Sequence, residues 1–417
     1  MDLVSLKKAE VVGKTVLVRA DLDVPLKKDQ EQKNWEVEDD FRIRRALPTI
    51  QYLMSRNTKT IVIAHLGRPK ERDENFSLLP AASRLAELLN LKFLVIGEDA
   101  QKLPQYSLPH LFFFSVDFRK DTTKKLLADL NPGDVAVLEN IRFYPEEDQN
   151  AADFGKAMAE LGEIFVNDAF GSSYNERASI TALAPLLPHF SGLELSAEVT
   201  ALSRVLVRPK RPVVVMVGGI KFSDKIVGLK GLLEICDHAV VGGGLATLFY
   251  LAHGYNIGKS KADLASLNDV KDLLRNYRQK IVLPVDVVVA RSPDNPDSIR
   301  VRAPEKIGPA EMVLDVGPET VKKFSAIIKS ANTLAWSGPM GLFEVKSFSH
   351  GTLALGRLFA SRCRGLAFGV AGGGDTLNAV KLTKMGEYID YLSTGGSASL
   401  DFLGGKKLPG IEVLKKS

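Results

Sequence analysis

Two lysines that follow a buried apolar run are the first candidates for chemistry in this chain. The run 213–217 is followed by Gly218-Gly219, and Lys221 and Lys225 come next, four residues apart. Residues at that spacing share one face of a helix, so both ammonium groups can point above the carboxyl end of the strand. Glycines let a phosphate approach the backbone, and cations beside a helix start favour a polyanion. A solvated helix face is the competing interpretation, and these residues alone leave both open.

A second glycine-rich turn carries a carboxylate and a hydroxyl. The residues Gly372-Gly373-Gly374-Asp375-Thr376 close an apolar run at a predicted helix start. Asp375 can serve as the N-cap of that helix. It can also hold Mg²⁺, a hard cation that takes one or two carboxylates together with phosphate oxygens. The two roles are compatible.

Cationic side chains recur where apolar runs end in the first half of the chain. Arg42 lies in the first turn of a predicted helix that begins after Asp39-Asp40, while His65, Arg68 and Arg142 follow predicted strands. Guanidinium groups match carboxylates and phosphates bidentately. A single arginine at a strand end is usually half of a structural ion pair, but four cations at one edge repel each other and favour an anionic guest. Arg44 and Arg45, on the same helix as Arg42, are interpreted as a solvated face.

The elements that would position these groups repeat one pattern: a short β-branched run, a charged or glycine-containing turn, and an amphipathic stretch. Such alternation indicates βαβ units and a parallel sheet. In the first half the predicted strands are 15–18, 60–64, 93–96, 135–138 and 164–166. In the second half they are 213–217, 239–241, 281–289 around a turn at Pro284 and Asp286, 333–336, 366–370 and 391–392. His110 and His189, which flank prolines, are predicted to lie in loops.

The two halves share this architecture but differ in their turns. Five of the six turns in the second half are glycine-rich, whereas the first half has arginines and histidine there. This difference predicts cationic forks for a small anion in the first half and glycine cradles for a nucleotide in the second. We expect an α/β protein of two doubly wound parallel-sheet, Rossmann-like domains, residues 1–188 and 208–400. A helix at 192–206 within segment 189–207 is the predicted connector across a hinged cleft.

Composition sets broad limits on function. The chain has 417 residues, with 55 Lys and Arg against 50 Asp and Glu and no dense basic run, so charge does not indicate nucleic-acid or membrane binding. Cys236 and Cys363 have no metal or disulfide spacing and are expected to be buried. A soluble, cytoplasmic protein is expected because no leader-like or membrane-spanning apolar segment is evident. No pattern indicates a transition-metal site or a nucleophile elbow.

With these residues assembled, the chain resembles the phosphoglycerate kinase family over essentially its whole length. Eight stretches match the family's motifs in order, which makes the resemblance highly specific. They are 19–25 (RADLDVP), 65–69 (HLGRP), 138–143 (LENIRF), 167–171 (NDAFG), 218–225 (GGIKFSDK), 336–344 (WSGPMGLFE), 372–376 (GGGDT) and 393–396 (STGG).

The resemblance implies an enzyme that reversibly transfers a phosphoryl group between 1,3-bisphosphoglycerate and Mg-ADP, giving 3-phosphoglycerate and ATP. By the family's pattern, Asp21 and Asp23 contact the glycerate hydroxyl region, while arginines and His65 take the carboxylate and phosphate. Arg42 and Lys221 would meet at the transferring group as the catalytic residues. The implied substrate-binding set is Asp21, Leu22, Asp23, Arg42, His65, Leu66, Gly67, Arg68, Arg142, Asn175 and Arg177.

The resemblance also implies the nucleotide site. Lys225 matches a phosphate-binding lysine, Glu344 the ribose contact and Asp375 the Mg²⁺ ligand. The implied nucleotide-binding set is Gly219, Lys221, Lys225, Gly317, Glu344, Gly373, Gly374, Asp375 and Thr376. Segment 401–417 is expected to return to the first domain, and a monomer is expected. Because the two ligands are assigned to different domains, catalysis would require closure, which also excludes water from the acyl phosphate.

Three positions depart from the family's pattern. Asp23 stands where asparagine is usual, and Ser337 replaces the usual asparagine after the tryptophan. The His-Arg pair that follows the Asp-Ala-Phe-Gly turn is Tyr174-Asn175 here, so a phosphate-binding arginine is missing from its usual place. Arg177, two residues further on, is a possible substitute. These changes bear on substrate affinity more than on the type of reaction.

Two other function classes fit parts of the pattern. A two-domain dehydrogenase is disfavoured because no G-x-G-x-x-G with a following acidic residue comes after a strand. A hinged anion-binding protein without activity is disfavoured by the second, glycine-rich ligand site and by the missing signal peptide. A coupled assay for ATP-dependent phosphorylation of 3-phosphoglycerate separates all three hypotheses.

Overall fold

The structure is a computed structural model that describes residues 3–28 and 35–415. The chain forms two compact units: unit 1 comprises Met1–Val199 and Lys407–Ser417, and unit 2 comprises Thr200–Lys406. The ends of the predicted first and last segments, 1–2 and 416–417, lie outside the described residues. None of the helices in the described part of the chain has the length and apolar character that a bilayer crossing requires.

Unit 1 is built on a seven-stranded sheet in which all paired strands are parallel. Its strand order is β5-β6-β7-β4-β1-β8-β9, and β2 and β3 form a separate antiparallel pair. The strands are β1 (Thr15–Arg19), β2 (Leu26–Lys28), β3 (Trp35–Val37), β4 (Lys59–Ile63), β5 (Lys92–Ile96), β6 (His110–Phe114), β7 (Val135–Leu138), β8 (Ile164–Asn167) and β9 (His189–Ser191). The helices are α1 (Phe41–Met54), α2 (Leu79–Leu89), α3 (Asp121–Ala128), α4 (Pro145–Asp148), α5 (Ala152–Ala159) and α6 (Leu193–Leu206).

Both faces of the unit 1 sheet are buried, which explains why its strands are continuous apolar runs. Val16 and Val18 of β1 join one hydrophobic cluster, and Leu17 between them joins another. Alternate residues of a strand point to opposite faces, so a strand covered on both sides needs apolar residues at every position. The α/β fold class inferred from the sequence is confirmed.

Unit 2 contains a six-stranded parallel sheet and a three-stranded antiparallel sheet. The parallel order is β12-β11-β10-β16-β17-β18, and the antiparallel order is β14-β13-β15. The strands are β10 (Val213–Val217), β11 (His238–Val241), β12 (Ile281–Val282), β13 (Val287–Ala290), β14 (Arg300–Arg302), β15 (Met312–Val316), β16 (Thr333–Ser337), β17 (Phe368–Gly372) and β18 (Tyr391–Ser393). The helices are α7 (Phe222–Ile235), α8 (Gly243–Ala252), α9 (Leu267–Tyr277), α10 (Pro318–Ser330), α11 (His350–Cys363), α12 (Gly374–Thr383) and α13 (Ser397–Leu403).

The structure changes three details of the expected element pattern. The run 281–289 divides around Pro284 and Asp286, but its two parts join different sheets, β12 the parallel sheet and β13 the antiparallel one, which was not predicted. His110 and His189 do not lie in loops but begin β6 and β9. A proline directly before a strand is compatible with pairing, since it lacks only the N–H donor, and the carbonyl of Pro188 still accepts the backbone N–H of Phe165 in β8.

The unit boundaries differ from the expected domain limits at two places. Residues 189–191, expected in the connector, form β9 and pair with β8 in the unit 1 sheet, and the boundary between units falls within α6. Residues 401–406, expected to return to the first domain, belong to unit 2, where Gly404 lies so close to Gly231 that a Cβ on Gly231 would overlap it. The return segment therefore begins at Lys407 and contains α14 (Pro409–Glu412).

Candidate functional site

The topology of unit 1 gathers the predicted cations at one sheet edge. Strands β7, β4, β1 and β8 are consecutive neighbours and parallel, so the turns at their carboxyl ends lie side by side. Those turns carry Arg142 after β7, His65 and Arg68 after β4, Asp21 and Asp23 after β1, and Asn175 and Arg177 after β8.

Arg42 is held in the first turn of α1 by a bidentate ion pair. Its Nη1 donates to both carboxylate oxygens of Asp21, at 3.0 and 2.9 Å, and Asp21 is only 6% exposed. The Asp21 charge raises the pKa of Arg42, which therefore stays cationic. The guanidinium is thus fixed at the sheet edge before any ligand binds. Its neighbours differ: Arg44 pairs with Asp40 and Arg45 with Glu194, so the structure gives both a structural partner.

Arg19, which the sequence analysis did not single out, fixes the state of His65. The Arg19 side chain is buried and donates to the Oγ of Ser179 at 3.0 Å and to Nδ1 of His65 at 2.9 Å. Burial lowers the pKa of Arg19 to about 10, so it remains a donor at neutral pH. His65 Nδ1 must then be the acceptor, which puts the ring proton on Nε2. Burial, and then the Arg19 charge, hold the pKa of His65 well below its usual range, so the ring is neutral.

A buried carboxylate continues this chain of contacts. Glu147 is 1% exposed and accepts hydrogen bonds from the Oγ and the backbone N–H of Ser179, at 2.6 and 2.7 Å. Its negative charge opposes the effect of burial on the pKa of Arg19 more than that of any other carboxylate named here does. The sequence signal for Arg19 was a charged residue that ends an otherwise apolar strand, but its partner Ser179 lies 160 residues away.

Asp23 has a defined role although asparagine is usual in the family it resembles. Its Oδ1 accepts the backbone N–H of Gly67 at 2.8 Å, and its Oδ2 lies 3.7 Å from His65 Nε2. The side chains of Leu22 and Leu66, both in the predicted substrate set, are buried in the core of unit 1, so only their backbone can contact a ligand.

A cavity of about 530 Å³, here called the arginine pocket, opens among these turns. Arg142 donates to the carbonyl of Gly67 at 2.6 Å, and burial and then the Arg177 charge lower the pKa of Arg142. Arg177 Nη1 lies 2.9 Å from Oδ1 of Asp148. The four cations of the pocket therefore face a single carboxylate among the described residues that line it. Its polar lining consists of Arg68, Lys70, Arg142, Tyr144, Asp148, Gln149, Tyr174, Asn175 and Arg177.

The glycine-rich turns of unit 2 are in close backbone contact. A Cβ on Gly218 would lie 2.1 Å from the carbonyl oxygen of Pro339, and one on Gly243 would lie 2.6 Å from the same atom. Gly219, Gly243, Gly338 and Gly373 have φ values of 88, 56, 96 and 103°, which side chains rarely adopt. Only glycine permits these turns to meet, so the cradle is made of backbone.

Beside this cradle lies a cavity of about 500 Å³, here called the glycine-turn cavity. Lys221, Glu344 and Asp375 line it together with the apolar side chains of Met312 and Leu314. This combination suits a ligand with a flat apolar part and a charged part. Lys261, Thr247 and Ser260 also line the cavity and were not in the predicted set.

A smaller cavity of about 50 Å³ shares Lys221 and Asp375 with the larger one. Lys221 Nζ lies 3.9 Å from Oδ2 of Asp375, and Lys225 donates to the Oγ of Ser337 at 2.6 Å. The buried hydroxyl of Thr376 accepts the backbone N–H of Gly338 at 2.8 Å. The predicted residues that line this cavity are Lys221, Lys225, Gly373, Gly374, Asp375 and Thr376.

Gly317 stands apart from the rest of the predicted nucleotide set. It is the N-cap of α10, and a Cβ there would lie 2.3 Å from the carboxylate carbon of Asp286. It lines neither of the two cavities. Asp286 explains the glycine without a ligand, since its carboxylate accepts the backbone N–H groups of Glu319 and Thr320.

Comparison with known proteins identifies the relatives of this chain. A family profile, phosphoglycerate kinase, matches residues 6–406. Phosphoglycerate kinase of Coprothermobacter proteolyticus is 41% identical over 418 residues, which cover 99% of each chain. That of Pelotomaculum thermopropionicum is 38% identical over 414 residues, which cover 98% of each chain. The solved structure of phosphoglycerate kinase from Coxiella burnetii is 35% identical, covers 99% of both chains and superposes with a TM-score of 0.80.

Proposed function

The chain belongs to the phosphoglycerate kinase family, and we propose that its two units divide the reaction of that family between them. It is an enzyme that catalyses the reversible phosphoryl transfer between 1,3-bisphosphoglycerate and ADP, giving 3-phosphoglycerate and ATP. Unit 1 would bind the glycerate substrate and unit 2 the nucleotide. The observation that carries this division is that the fixed cations lie in unit 1 and the backbone cradle in unit 2.

In unit 1, the arginine pocket would take the phosphate of 3-phosphoglycerate. Arg68, Arg142 and Arg177 supply guanidinium forks that suit a tetrahedral anion. His65, with its proton on Nε2, would donate a hydrogen bond to the substrate without adding a charge. Asp21 and Asp23 would accept from the glycerate hydroxyl. Arg42 would neutralise charge that develops on the acyl phosphate during transfer.

In unit 2, the phosphates of the nucleotide would lie against Gly373 and Gly374 at the start of α12. Backbone N–H groups at a helix start favour negative charge. Lys225 would contact these phosphates, and Lys221, whose side chain is 67% exposed, would reach the transferring group. Glu344, on the wall of the glycine-turn cavity, would accept hydrogen bonds from the ribose hydroxyls.

The residues of this site also fit Mg²⁺. No cluster of three or more potential metal-ligating side chains occurs in the described parts of the chain, so a site made of protein ligands alone is not present there. Mg²⁺ in nucleotide sites instead takes one or two carboxylates together with phosphate oxygens and water. Asp375, with a half-exposed side chain beside the smaller cavity, would provide that carboxylate. The bound ion would neutralise phosphate charge.

Three further properties follow as proposals from family membership. The enzyme would be a cytoplasmic monomer, which cell fractionation and sedimentation equilibrium test. Because the two ligands are assigned to different units, we propose a hinge motion that brings them together. Solution scattering should show a smaller radius of gyration with both ligands than with either alone. Identical profiles for the free and doubly liganded enzyme would contradict the hinge.

A coupled assay tests the proposed function directly. The purified chain should consume ATP only when both 3-phosphoglycerate and Mg²⁺ are present, and omission of any one component should stop turnover. Titration calorimetry should find 3-phosphoglycerate binding that Arg142→Ala weakens and nucleotide binding that Asp375→Asn weakens. Binding of both ligands without turnover would contradict the enzyme, whereas turnover without these variant effects would contradict only the residue assignments.

A further inference from the structure

Asp148, at the end of α4, lies where a substrate phosphate is proposed to bind. Its Oδ1 is 2.9 Å from Nη1 of Arg177 and 4.0 Å from Nε of Arg142. Both belong to the three arginines of the pocket that are proposed to contact the substrate phosphate. A carboxylate and a phosphate cannot both occupy this position, because they would compete for the same N–H donors and repel each other.

We propose that Asp148 is an internal competitor of 3-phosphoglycerate, which neutralises Arg177 and Arg142 in the free enzyme and is displaced when the substrate phosphate binds. This inference rests on the proposed assignment of the arginine pocket to that phosphate. Asp148 thereby sets the affinity for the glycerate substrate.

The three side chains differ in exposure in the way that displacement requires. The side chains of Arg142 and Arg177 are 12% and 17% exposed, whereas that of Asp148 is 61% exposed. A carboxylate at the surface regains its hydration when it rotates outward, so leaving the pocket costs little. Arg142 stays in place, because it also donates a hydrogen bond to the carbonyl of Gly67 at 2.6 Å.

A positioning role, in which Asp148 holds Arg177 ready for the substrate, is the opposite hypothesis. Arg177 Nη1 also donates to the backbone carbonyl of Asp148 at 3.2 Å. That contact does not depend on the carboxylate, so it survives when Asp148 becomes asparagine. Arg177 and Arg142 are close enough for the Arg177 charge to lower the pKa of Arg142. Any anion between them, whether Asp148 or a phosphate, therefore reduces their mutual repulsion.

The decisive variant is Asp148→Asn, which keeps the shape of the side chain and removes its charge. The Kd for 3-phosphoglycerate, measured by titration calorimetry, should fall by about two- to fivefold, as expected of a largely exposed ion pair. Asp153→Asn is the matched control: it removes the same charge from the next helix, α5, where the exposed carboxylate pairs with Lys156. Its Kd should be unchanged. The KM for ATP serves as an internal reference in both variants.

A double variant tests whether the effect passes through Arg177. In an Arg177→Ala background, Asp148→Asn should lower the Kd by a clearly smaller factor, because the remaining contact to Arg142 is 4.0 Å long. An unchanged or raised Kd in Asp148→Asn, or an equal fall in Asp153→Asn, overturns the inference. If Arg142→Ala and Arg177→Ala both leave the Kd unchanged, the pocket assignment itself fails. If they raise it and Asp148→Asn does not lower it, only the competitor role fails.

Discussion

The two units build their proposed anion sites from different parts of the chain. In unit 1 the proposed binding groups are side-chain charges that protein partners hold: Arg42 is held by Asp21, Arg142 by the Gly67 carbonyl, and Arg177 by Asp148. In unit 2 the cradle is backbone, formed by glycines whose missing side chains let three turns meet. Two of its charged side chains, Lys221 and Asp375, are 67% and 49% exposed, whereas Lys225 is buried.

This difference predicts how each site responds to its ligand. The cations of unit 1 are already held by protein partners, so the proposed substrate binding there would exchange the Asp148 carboxylate for a substrate anion. The glycine turns of unit 2 are already formed, whereas the exposed Lys221 lies 3.9 Å from Asp375 and would gain close partners from the proposed ligand. Removing a charged side chain should therefore weaken ligand contacts in unit 1 and slow turnover in unit 2. Adding a methyl group to a glycine of unit 2 should instead change the shape of its proposed binding site.

The largest expected effect is in unit 2, from Lys221→Ala. An exposed lysine that acts only where charge redistributes should affect turnover rather than nucleotide binding. Loss of such a contact costs on the order of 3 kcal/mol, roughly a hundredfold in kcat. Lys230→Ala, an exposed lysine further along the same helix, is the control and should retain activity. A near-normal kcat for Lys221→Ala would remove this lysine from the reaction.

In unit 1, Arg42→Ala should reduce kcat/KM by roughly a hundredfold, because it removes a proposed charge-neutralising group. The loss should include weaker binding of 3-phosphoglycerate, since the variant also leaves Asp21 as an unpaired carboxylate near an anion. Arg44→Ala removes an equal charge two residues away, from an exposed pair with Asp40. An equal loss in both variants would mean that Arg42 acts only through the overall charge of α1.

Glycine substitution tests whether backbone shape forms the unit 2 site. Gly243→Ala should weaken nucleotide binding by about tenfold or more, because φ is +56° and the new Cβ would lie 2.7 Å from the backbone N of Gly219. Gly254→Ala is the control: its φ is +81°, but nothing lies within 4 Å of the new Cβ. Both variants carry backbone strain of about 1–2 kcal/mol, so a difference in nucleotide Kd isolates the clash.

The same contrast explains what the sequence could predict. Strand ends could be predicted, because a strand buried on both faces is an apolar run and a parallel sheet gathers the turns that follow. The residues in those turns were therefore correctly grouped at one edge. The two strands of the run 281–289 could not be assigned to different sheets, because β-branched residues favour a strand without indicating which sheet it joins.

Partners distant in sequence were beyond prediction. Arg19 looked like the polar end of a strand, and only the fold brings it to Ser179 and His65. Asp148 belongs to no motif that the sequence analysis used, and its proposed role depends on its contact with Arg177, which only the fold shows. Gly317 was carried over by resemblance alone, and the structure gives it a packing reason instead, the close approach of Asp286.

Whether Arg177 takes the place of the arginine missing at Asn175 can be tested by moving an arginine back to that position. Arg177→Ala should raise KM for 3-phosphoglycerate by the value of one charge-assisted hydrogen bond, roughly 1.5–3 kcal/mol, and should barely change KM for ATP. Asn175→Arg in that background should restore the affinity. Arg119→Ala, which breaks a pair with Asp117, is the control for a lost unit 1 charge. If the substrate KM does not change in Arg177→Ala, the remaining cations of the pocket suffice.

The smallest expected effect concerns stability and compares one buried carboxyl in each unit. Burial raises the pKa of Asp168 in unit 1 and that of Asp315 in unit 2, each to about 7. Each accepts two backbone N–H groups, Asp168 from Glu194 and Leu195, and Asp315 from Val316 and Gly351. In the unfolded chain both should titrate near the ordinary value of about 4.

These raised pKa values give a definite sign to the pH dependence. Between pH 4 and 7 the folded state binds more protons than the unfolded state. The stability that each protonated carboxyl contributes is therefore complete below pH 4 and is lost as pH rises toward 7. Asparagine resembles the protonated carboxyl and does not titrate. As pH rises from 5.5 to 6.5, the free energy of unfolding of Asp168→Asn and of Asp315→Asn should each increase by about 1 kcal/mol relative to that of the wild type. Urea unfolding followed by hydrogen exchange should place the first gain in unit 1 and the second in unit 2. A gain independent of pH would show that the carboxyls are ionised in the folded protein.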